Sequence, residues 1–299
     1  MELLPVFKLM ADKQASDLFF SVDAPIQIKI EGNFVSVNSQ KLTSAHMKRL
    51  AYGLMTPAQI NDFEHEWEMN FGYPVHGLGN FRVNIFRQRG EIAMVIRFVR
   101  KDIPSLQALN LPPVITQLAM EKRGIIMMVG ATGSGKSSTL AAMLEYRNTT
   151  SAGHILTMED PIEFIFEHKK CLVNQREVGI DTKTFGAALK NAMREAPDVL
   201  MIGEIRDRDT MQHALTYAQS GHMCLSTLHA TNSYQALNRV INFFPHDARS
   251  SLLMDLSVSL KAIVSQRLVR GLDGKRVPAI EILLNSNHIA DLIKQGEVG

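Results

Sequence analysis

A glycine-rich segment at residues 130–137 carries the clearest chemical signal in the sequence. It reads GATGSGKS and matches the pattern GxxxxGK[ST] at every fixed position. Glycines in such a loop let backbone N–H groups turn toward one centre and surround phosphate oxygens. Lys136 then reaches the β- and γ-phosphates, and the Ser137 hydroxyl is a ligand for Mg²⁺. The residues predicted to contact a nucleotide are Gly130, Ala131, Thr132, Gly133, Ser134, Gly135, Lys136, Ser137 and Ser138.

The sequence on either side of this loop suits the same chemistry. An apolar run at residues 124–129 predicts a buried strand before the loop, and residues 138–146 predict a helix after it. The amino end of that helix adds partial positive charge beside the phosphates. The alternative, a plain glycine-rich turn, does not require this strand and helix.

A carboxylate at the end of a neighbouring strand completes a site of this kind, because the Mg²⁺ or its bound water needs an acidic partner. Residues 199–202 are all apolar and are followed by Gly203 and Glu204. Glu204 is therefore predicted to serve the metal together with Ser137. Many buried strands end in an acidic residue, so this prediction depends on the glycine-rich loop that precedes it.

A second acidic cluster follows a strand predicted at residues 155–158. Glu159, Asp160 and Glu163 crowd together there. Carboxylates at such short spacing repel one another unless a cation or a proton relieves them. A carboxylate beside a metal is suited to act as a general base for water. The alternative is an acidic turn that is simply solvated.

Two histidines bracket a strand predicted at residues 223–227. His222 precedes it and His229 follows it. At this spacing the two rings lie on opposite faces and about 23 Å apart if the strand is fully extended, so they cannot share one metal ion. A lone histidine is more often a hydrogen-bonding residue than a catalyst, and the pattern alone leaves both roles open.

An arginine pair is predicted in the first hundred residues. Alternating apolar residues at 81–85 and an apolar run at 92–99 predict two strands of a hairpin. If the turn is centred between Arg89 and Gly90, Arg82 stands directly opposite Arg97. Like charges that face each other are unfavourable, which suggests an anion that both arginines address. The alternative is that both are solvated and the register is shifted by one residue.

The composition indicates a folded chain of two domains. Its 299 residues are 45% hydrophobic and 21% charged, with 19 Gly and 11 Pro, which excludes disordered and collagen-like classes. Cys171 and Cys224 are too far apart in sequence for a CxxC metal pair and are interpreted as reduced thiols. The formal charge of +2 gives no electrostatic case for a nucleic-acid partner. No apolar segment has the length of a membrane span and no secretory signal is present, so a cytoplasmic location is expected.

The pattern of elements predicts where the two domains lie. Residues 1–100 mix short strands and helices, and the proline-punctuated residues 101–113 are the predicted linker. Residues 114–299 alternate apolar strands with helices, which is typical of a doubly wound α/β domain. Its predicted strands are at 125–129, 155–158, 199–202, 223–227 and 279–284, and its helices begin near Gly135, Thr184, Asp207, Ser233 and Asp247.

These motifs, in this order, resemble the secretion ATPase superfamily, and in particular the type IV pilus retraction ATPases, the PilT/PilU family. The segment at residues 130–137 is similar to the family's Walker A motif, 155–164 to its Asp box, 202–207 to its Walker B motif and 221–229 to its His box. The resemblance covers essentially the whole chain. It implies a RecA-like P-loop ATPase domain preceded by a smaller PAS-like α+β domain, with ATP and Mg²⁺ as cofactors.

The same resemblance implies a role for each candidate residue. Glu163 is the general base, and Glu204 orders the water bound to Mg²⁺. His222 and His229 resemble residues that sense the nucleotide state or link neighbouring subunits. Arg82 and Arg97 resemble the family's N-terminal arginines that approach the phosphates.

The expected partners also follow from the resemblance. They are a homo-hexameric ring, a PilT-type motor and the pilus platform protein of the inner membrane, with no nucleic acid and no direct membrane insertion. The chain is expected to be peripheral at the cytoplasmic base of the pilus machine.

Two departures favour the PilU type, an accessory to a PilT motor. Ala131 stands where PilT-type motors commonly have proline, and residues 289–295 differ from their AIRNLIRE-like motif. The chain also ends at Gly299, where the family continues into further helices, so a truncated ATPase domain is expected. One alternative function is a nucleotide-binding subunit that supports a partner hexamer. Another is a pilus assembly or type II secretion ATPase, although those usually carry a tetracysteine zinc module that two distant cysteines cannot build.

Overall fold

The chain folds into two units that have separate hydrophobic cores. This computed structural model describes residues 3–13, 15–30, 32–99, 102–272 and 276–298. One core belongs to the unit Met1–Lys101 and the others to the unit Asp102–Gly299. Residues 100 and 101, where the first domain was predicted to end and the linker to begin, lie outside the described residues, as does residue 299 at the predicted end of the second domain.

The first unit is an antiparallel sheet with helices packed against it, as predicted for an α+β domain. Its strands lie in the order β3-β2-β1-β6-β5-β4. Thr43 caps α2, and Thr56 forms the predicted capping box with Gln59 at the start of α3. The elements are α1 (Leu4–Asp12), β1 (Asp17–Phe20), β2 (Gln27–Ile30), β3 (Asn33–Ser36), α2 (Ser44–Leu54), α3 (Pro57–Glu66), β4 (Glu68–Val75), β5 (Gly79–Gln88) and β6 (Glu91–Val99).

The hairpin of β5 and β6 has the predicted register. Arg89 and Gly90 form the turn with φ of 51° and 80°, a conformation that suits a two-residue hairpin loop. Arg82 therefore lies directly opposite Arg97, as the sequence predicts.

The second unit is built on a sheet of seven strands in the order β13-β12-β7-β11-β10-β8-β9. All neighbouring strands are parallel except β12 and β13. The elements are α4 (Pro113–Ala119), β7 (Gly124–Val129), α5 (Lys136–Thr150), β8 (Gly153–Glu159), β9 (Cys171–Glu177), α6 (Phe185–Ala192), β10 (Val199–Ile202), α7 (Arg208–Gln219), β11 (Met223–Leu228), α8 (Ser233–Asn242), α9 (Arg249–Ser259), β12 (Leu260–Arg270), β13 (Arg276–Leu284) and α10 (Asn287–Gln295).

This arrangement confirms the predicted RecA-like α/β domain. Strands β7, β10 and β11 are buried along their whole length, because helices cover both faces of a parallel sheet. The sequence analysis identified these strands from their apolar runs but did not identify β9, a mixed polar edge strand, or β12. None of the helices in the described part of the chain has the length and apolar character that crossing a bilayer requires.

The predicted linker differs from the structure. Leu106 is 3% exposed and belongs to a core of the second unit, and Ile103, Leu109 and Leu111 pack against the same core. Most of these apolar side chains lie between Pro104 and Pro112, two of the prolines that suggested a spacer. Residues 102–112 are thus part of the second unit.

Candidate active site

The loop between β7 and α5 has a backbone that only glycine fits at its two ends. Gly130 and Gly135 have φ of 154° and 87°. A Cβ atom at Gly130 would lie 2.3 Å from the backbone carbonyl oxygen of Gln266. One at Gly135 would lie 2.7 Å from the side-chain Nε2 of Gln266. The loop is thus packed directly against strand β12, and its glycines have the positive φ values with which a phosphate-binding loop can turn its N–H groups toward an anion.

The side chain of Gln266 holds this loop through hydrogen bonds, and the sequence analysis did not identify this residue. Its amide Nε2 donates a hydrogen bond to the Ser134 carbonyl oxygen at 2.9 Å, and its Oε1 accepts one from the Thr139 hydroxyl at 2.8 Å. Gln266 is buried in β12, a strand that mixes apolar and polar residues, so nothing in its local sequence distinguishes it. Its role depends on β12 lying next to β7.

Lys136 folds back over the loop. Its Nζ donates hydrogen bonds to the carbonyl oxygens of Gly130 at 2.8 Å and Ala131 at 3.0 Å, and the residue is only 8% exposed. Burial lowers the pKa of Lys136, while the negative charges of Glu204 and Glu163 act in the opposite direction. A buried ammonium next to two carboxylates provides the positive charge that phosphate oxygens require.

The carboxyl ends of four neighbouring strands meet around one cavity of about 200 Å³. Such a crevice is the usual ligand site of a parallel sheet. The segments that follow β7, β8, β10 and β11 each contribute side chains, and therefore strand order brings distant motifs together. The lining residues with predicted roles are Thr132, Gly133, Lys136, Ser137, Glu163, Glu204 and His229.

The other predicted loop residues lie outside this cavity. Gly135 and Ser138 line a second cavity of about 300 Å³, together with Asn110, Leu268 and Arg276. The remaining predicted contacts, Gly130, Ala131 and Ser134, shape the loop. The Ser134 hydroxyl is buried without a hydrogen-bond partner among the described residues.

Glu204 is held in place at the end of β10. Its Oε2 accepts a hydrogen bond from Arg206 Nε at 2.7 Å, and its Oε1 lies 3.4 Å from His229 Nε2. The Thr227 hydroxyl donates to the Gly203 carbonyl oxygen at 2.6 Å and ties the end of β10 to β11. Glu204 therefore enters the cavity from a rigid strand end.

Arg206 is a site residue that the sequence analysis missed. Besides its bond to Glu204, its Nη1 lies 3.3 Å from Asp160 Oδ2. It supplies the cation that the crowded carboxylates were predicted to need. The signal was available, since Arg206 is part of the segment assigned to the Walker B motif.

The three clustered carboxylates differ in exposure. Glu159 is 6% exposed, and burial raises its pKa to about 7, although hydrogen bonds from Thr157, Gln175 and the backbone N–H of Glu163 act to lower it. The side chain of Glu163 is exposed and lines the cavity. Glu159 and Asp160 line the same cavity, but of the two glutamates only Glu163 is exposed to solvent, so it is the better candidate to receive a proton from water.

The structure separates the two histidines as predicted. His229 lines the cavity, whereas His222 precedes β11 at the opposite edge of the sheet. His222 Nδ1 lies 3.0 Å from the Ser220 hydroxyl, and its ring packs on Tyr217 with a centroid distance of 4.9 Å. Within one chain, His222 does not reach the cavity, because the full length of β11 intervenes.

The two arginines belong to the first unit. Arg97 Nε donates to Asp17 Oδ1 at 2.8 Å, and Asp17 is buried while the Arg97 side chain is 64% exposed. The carboxylate offsets part of the repulsion between Arg97 and Arg82. The predicted role of both arginines at the phosphates stays a prediction.

Comparison with known proteins agrees with this site. Residues 4–287 match the family described as "Type II/IV secretion system protein". The chain belongs to this family. Over its full length it is 49% identical to the type IV pilus ATPase PilU of Pseudomonas aeruginosa, covering 78% of that protein. It is also 40% identical to the type IV pilus retraction ATPase PilT of the same organism, covering 87% of it.

A solved structure of a family member has the same fold. The crystal structure of the pilus retraction motor PilT with bound ADP superimposes with a TM-score of 0.94 at 38% identity, over 99% of this chain and 87% of that one. The predicted resemblance to the pilus retraction ATPases of the PilT/PilU family is confirmed. Nucleotide binding by this family is consistent with a cavity that begins at the glycine-rich loop.

Proposed function

We propose that the chain is an ATP-hydrolysing motor subunit that powers type IV pilus retraction as the PilU-type accessory of a PilT motor. The observation that carries this proposal is the position of Lys136, Glu163 and Glu204 around one cavity at the glycine-rich loop. A lysine for the phosphates, an exposed carboxylate and a strand-end carboxylate are the groups that phosphoryl transfer to water requires.

In this proposal, the chain cleaves the bond between the γ-phosphorus and the oxygen that bridges it to the β-phosphate. Lys136 exchanges its two backbone carbonyl contacts for β- and γ-phosphate oxygens. Glu163 accepts a proton from water as the water oxygen bonds to the γ-phosphorus. ADP and inorganic phosphate leave.

The residues at the cavity also fit Mg²⁺. The ion prefers oxygen ligands and keeps several waters, and the Ser137 hydroxyl and the Glu204 carboxylate both line the cavity. Ser137 would bind the metal directly and Glu204 would hold one of its waters. Bound Mg²⁺ would neutralise charge on the β- and γ-phosphate oxygens.

The remaining contacts follow from the course of α5. Ser138 lies one residue beyond the predicted metal ligand and lines the second cavity, so we place the nucleoside there, beside Asn110 and Leu268. The distance of 3.4 Å between His229 Nε2 and Glu204 Oε1 supports a role for His229 in sensing the nucleotide through Glu204. By the family resemblance, Arg82 and Arg97 approach the phosphates, and His222 links neighbouring subunits.

The proposed assembly is a homo-hexameric ring on the cytoplasmic side of the inner membrane, where it contacts a PilT-type motor and the pilus platform protein. The family membership supports this assembly. Nucleotide turnover that rises steeply with protein concentration would support completion of the site by a neighbouring subunit.

A second candidate function is a nucleotide-binding subunit that supports a partner hexamer without its own turnover. One observation favours this function. Both carboxylate oxygens of Glu204 already have partners, since Oε2 accepts a hydrogen bond from Arg206 and Oε1 lies near His229. In the first function, these contacts rearrange when nucleotide binds.

ATP turnover and ADP binding by Glu163→Ala test the proposed function. We expect nucleotide binding within about twofold of wild type and a turnover loss of about 10²–10⁴-fold, since the base acts only in the transition state. Glu167→Ala, an exposed glutamate of the same loop, is the matched control. Wild-type turnover by Glu163→Ala would remove Glu163 from this role, and binding without turnover by the wild-type chain would favour the second function.

A further inference from the structure

The loop that carries Glu163 connects two parallel neighbouring strands without a helix. It runs from the end of β8 at Glu159 to the start of β9 at Cys171. Such a loop has few backbone partners of its own, so its N–H and C=O groups need other acceptors and donors. These partners decide where Glu163 stands in the cavity.

Side chains from the two strands bind the backbone at three successive loop residues. The N–H of Ile162 donates to Glu177 Oε2 at 3.0 Å, and the N–H of Glu163 donates to the carboxylate of Glu159. The carbonyl oxygen of Phe164 accepts from Gln175 Nε2 at 2.8 Å. Glu163 and both of its neighbours are therefore fixed by side chains.

Gln175 is the centre of this network. Its Nε2 also donates to Glu159 Oε1 at 3.1 Å, and its Oε1 accepts from the N–H of Phe166 at 2.8 Å. One amide group thus joins the buried carboxylate to two points of the loop. Both its donor and its acceptor atoms are used.

Strand register explains why these side chains meet. Gln175 pairs with Thr157 and Glu177 pairs with Glu159. Residues two apart on a strand share a face, so the four side chains form one row. On the same face, the preceding pair is the apolar Ile155 and Val173. The side chains on this face therefore change from apolar to polar toward the cavity.

We infer that Gln175 is a positioning residue for ATP hydrolysis, which holds the loop that carries Glu163 through its hydrogen bonds to Glu159, Phe164 and Phe166. This inference rests on the proposed function, because it acts through the general base. Gln175 is not among the residues that line the cavity, so it acts through the loop and not by contact with ATP. Its removal should therefore affect the chemical step and leave nucleotide affinity intact.

The test is the kcat for ATP and the Kd for ADP of full-length Gln175→Ala. A displacement of about 1 Å at a catalytic group can lower the rate about 100-fold, so we expect kcat to fall about 10- to 100-fold with the Kd within twofold. Gln219→Ala, an exposed glutamine at the end of α7, is the matched control and should match wild type. Gln175→Asn keeps the amide but shortens its reach, so it tests the same point with less loss of packing.

Combination with Glu163→Ala separates positioning from a structural effect. If Gln175 acts through Glu163, adding Gln175→Ala to Glu163→Ala causes no further loss of single-turnover rate. Three results would overturn the inference. The first is that Gln175→Ala lowers the rate by the same factor with and without Glu163→Ala, and the second is a kcat within twofold of wild type for both Gln175 variants. The third is a rise in the Kd for ADP as large as the fall in kcat. Absence of turnover in the wild-type chain would instead overturn the proposed function first.

Discussion

The ammonium group of Lys136 lies 2.8 Å from the carbonyl oxygen of Gly130, at the opposite end of the same loop. The lysine thus joins the two ends of the glycine-rich loop through its hydrogen bonds to the carbonyl oxygens of Gly130 and Ala131. Because its charge is buried and only neutral carbonyl groups accept its hydrogen bonds, an anion is a better partner for it.

Replacement of this ammonium tests the phosphate cradle directly. We expect Lys136→Ala to weaken ADP and ATP binding by about 100-fold or more, since it removes a charge-assisted contact from a desolvated site. Titration with a fluorescent ADP analogue measures the loss. Lys190→Ala, an exposed lysine on α6, is the control and should bind like wild type. Tight binding by Lys136→Ala would place the nucleotide elsewhere.

Arg206 is expected to tune nucleotide affinity through the two carboxylates that it bridges. Arg206→Ala leaves Glu204 and Asp160 unshielded beside the phosphates, so we expect the Kd for ADP to rise about tenfold at low salt. The effect should shrink as salt increases, because the pairs are partly exposed. The same titration at two salt concentrations measures it. An equal change in Arg194→Ala, at an exposed site, would contradict the prediction.

The contact of Arg97 with Asp17 predicts a graded loss of turnover. Arg97→Ala should lower kcat by about 10³-fold or more if its guanidinium serves the phosphates as an arginine finger. Asp17→Asn keeps Arg97 but weakens the 2.8 Å contact that orients it, so its kcat should fall less. Steady-state kinetics at saturating ATP measure both. An unchanged kcat in Arg97→Ala would show that Arg97 is a solvated surface residue with no part in catalysis.

The raised pKa of Glu159 predicts a pH dependence of stability. The pKa rises from 4.5 to about 7 on folding, so between these values the folded chain binds a proton that the unfolded chain does not. Stability from this group is therefore present at low pH and is lost as pH rises through about 7. Glu159→Gln removes the titration, and the wild-type decline in unfolding free energy between pH 5 and pH 8 should exceed that of the variant by on the order of 2 kcal/mol.

Denaturant unfolding at the two pH values measures this difference. Glu167→Gln, an exposed glutamate in the same loop, should retain the wild-type pH dependence. An identical decline in wild type and Glu159→Gln would show that Glu159 does not titrate in this range.

The residues proposed to contact the phosphates could be identified from sequence because their chemistry is local. Glycines, a lysine and a hydroxyl at fixed spacing specify a phosphate loop before any tertiary contact forms. Hairpin register was also predictable, since the turn at Arg89 and Gly90 determines that Arg82 faces Arg97. Apolar runs identified β7, β10 and β11 because a strand buried on both faces has no polar alternation.

The supporting residues could not be predicted because their roles arise from strands that are distant in sequence. Gln266 reaches the phosphate loop only because β12 lies beside β7, and Gln175 reaches the Glu163 loop only because β9 pairs with β8. The apolar side chains of residues 102–112 pack against the second unit although this segment contains prolines. Their burial depends on an apolar surface that the rest of this unit provides, and the local sequence does not show that surface.

The sequence by itself determined the phosphate chemistry, the positions of the strands β7, β8, β10 and β11 along the chain and the family to which the chain belongs. Only the tertiary structure decided which of the clustered carboxylates is buried with a raised pKa, which of them are exposed, and which histidine lines the same cavity. The physical reason is that a side chain's solvation depends on the neighbours that strand order brings to it, and these neighbours come from distant parts of the chain.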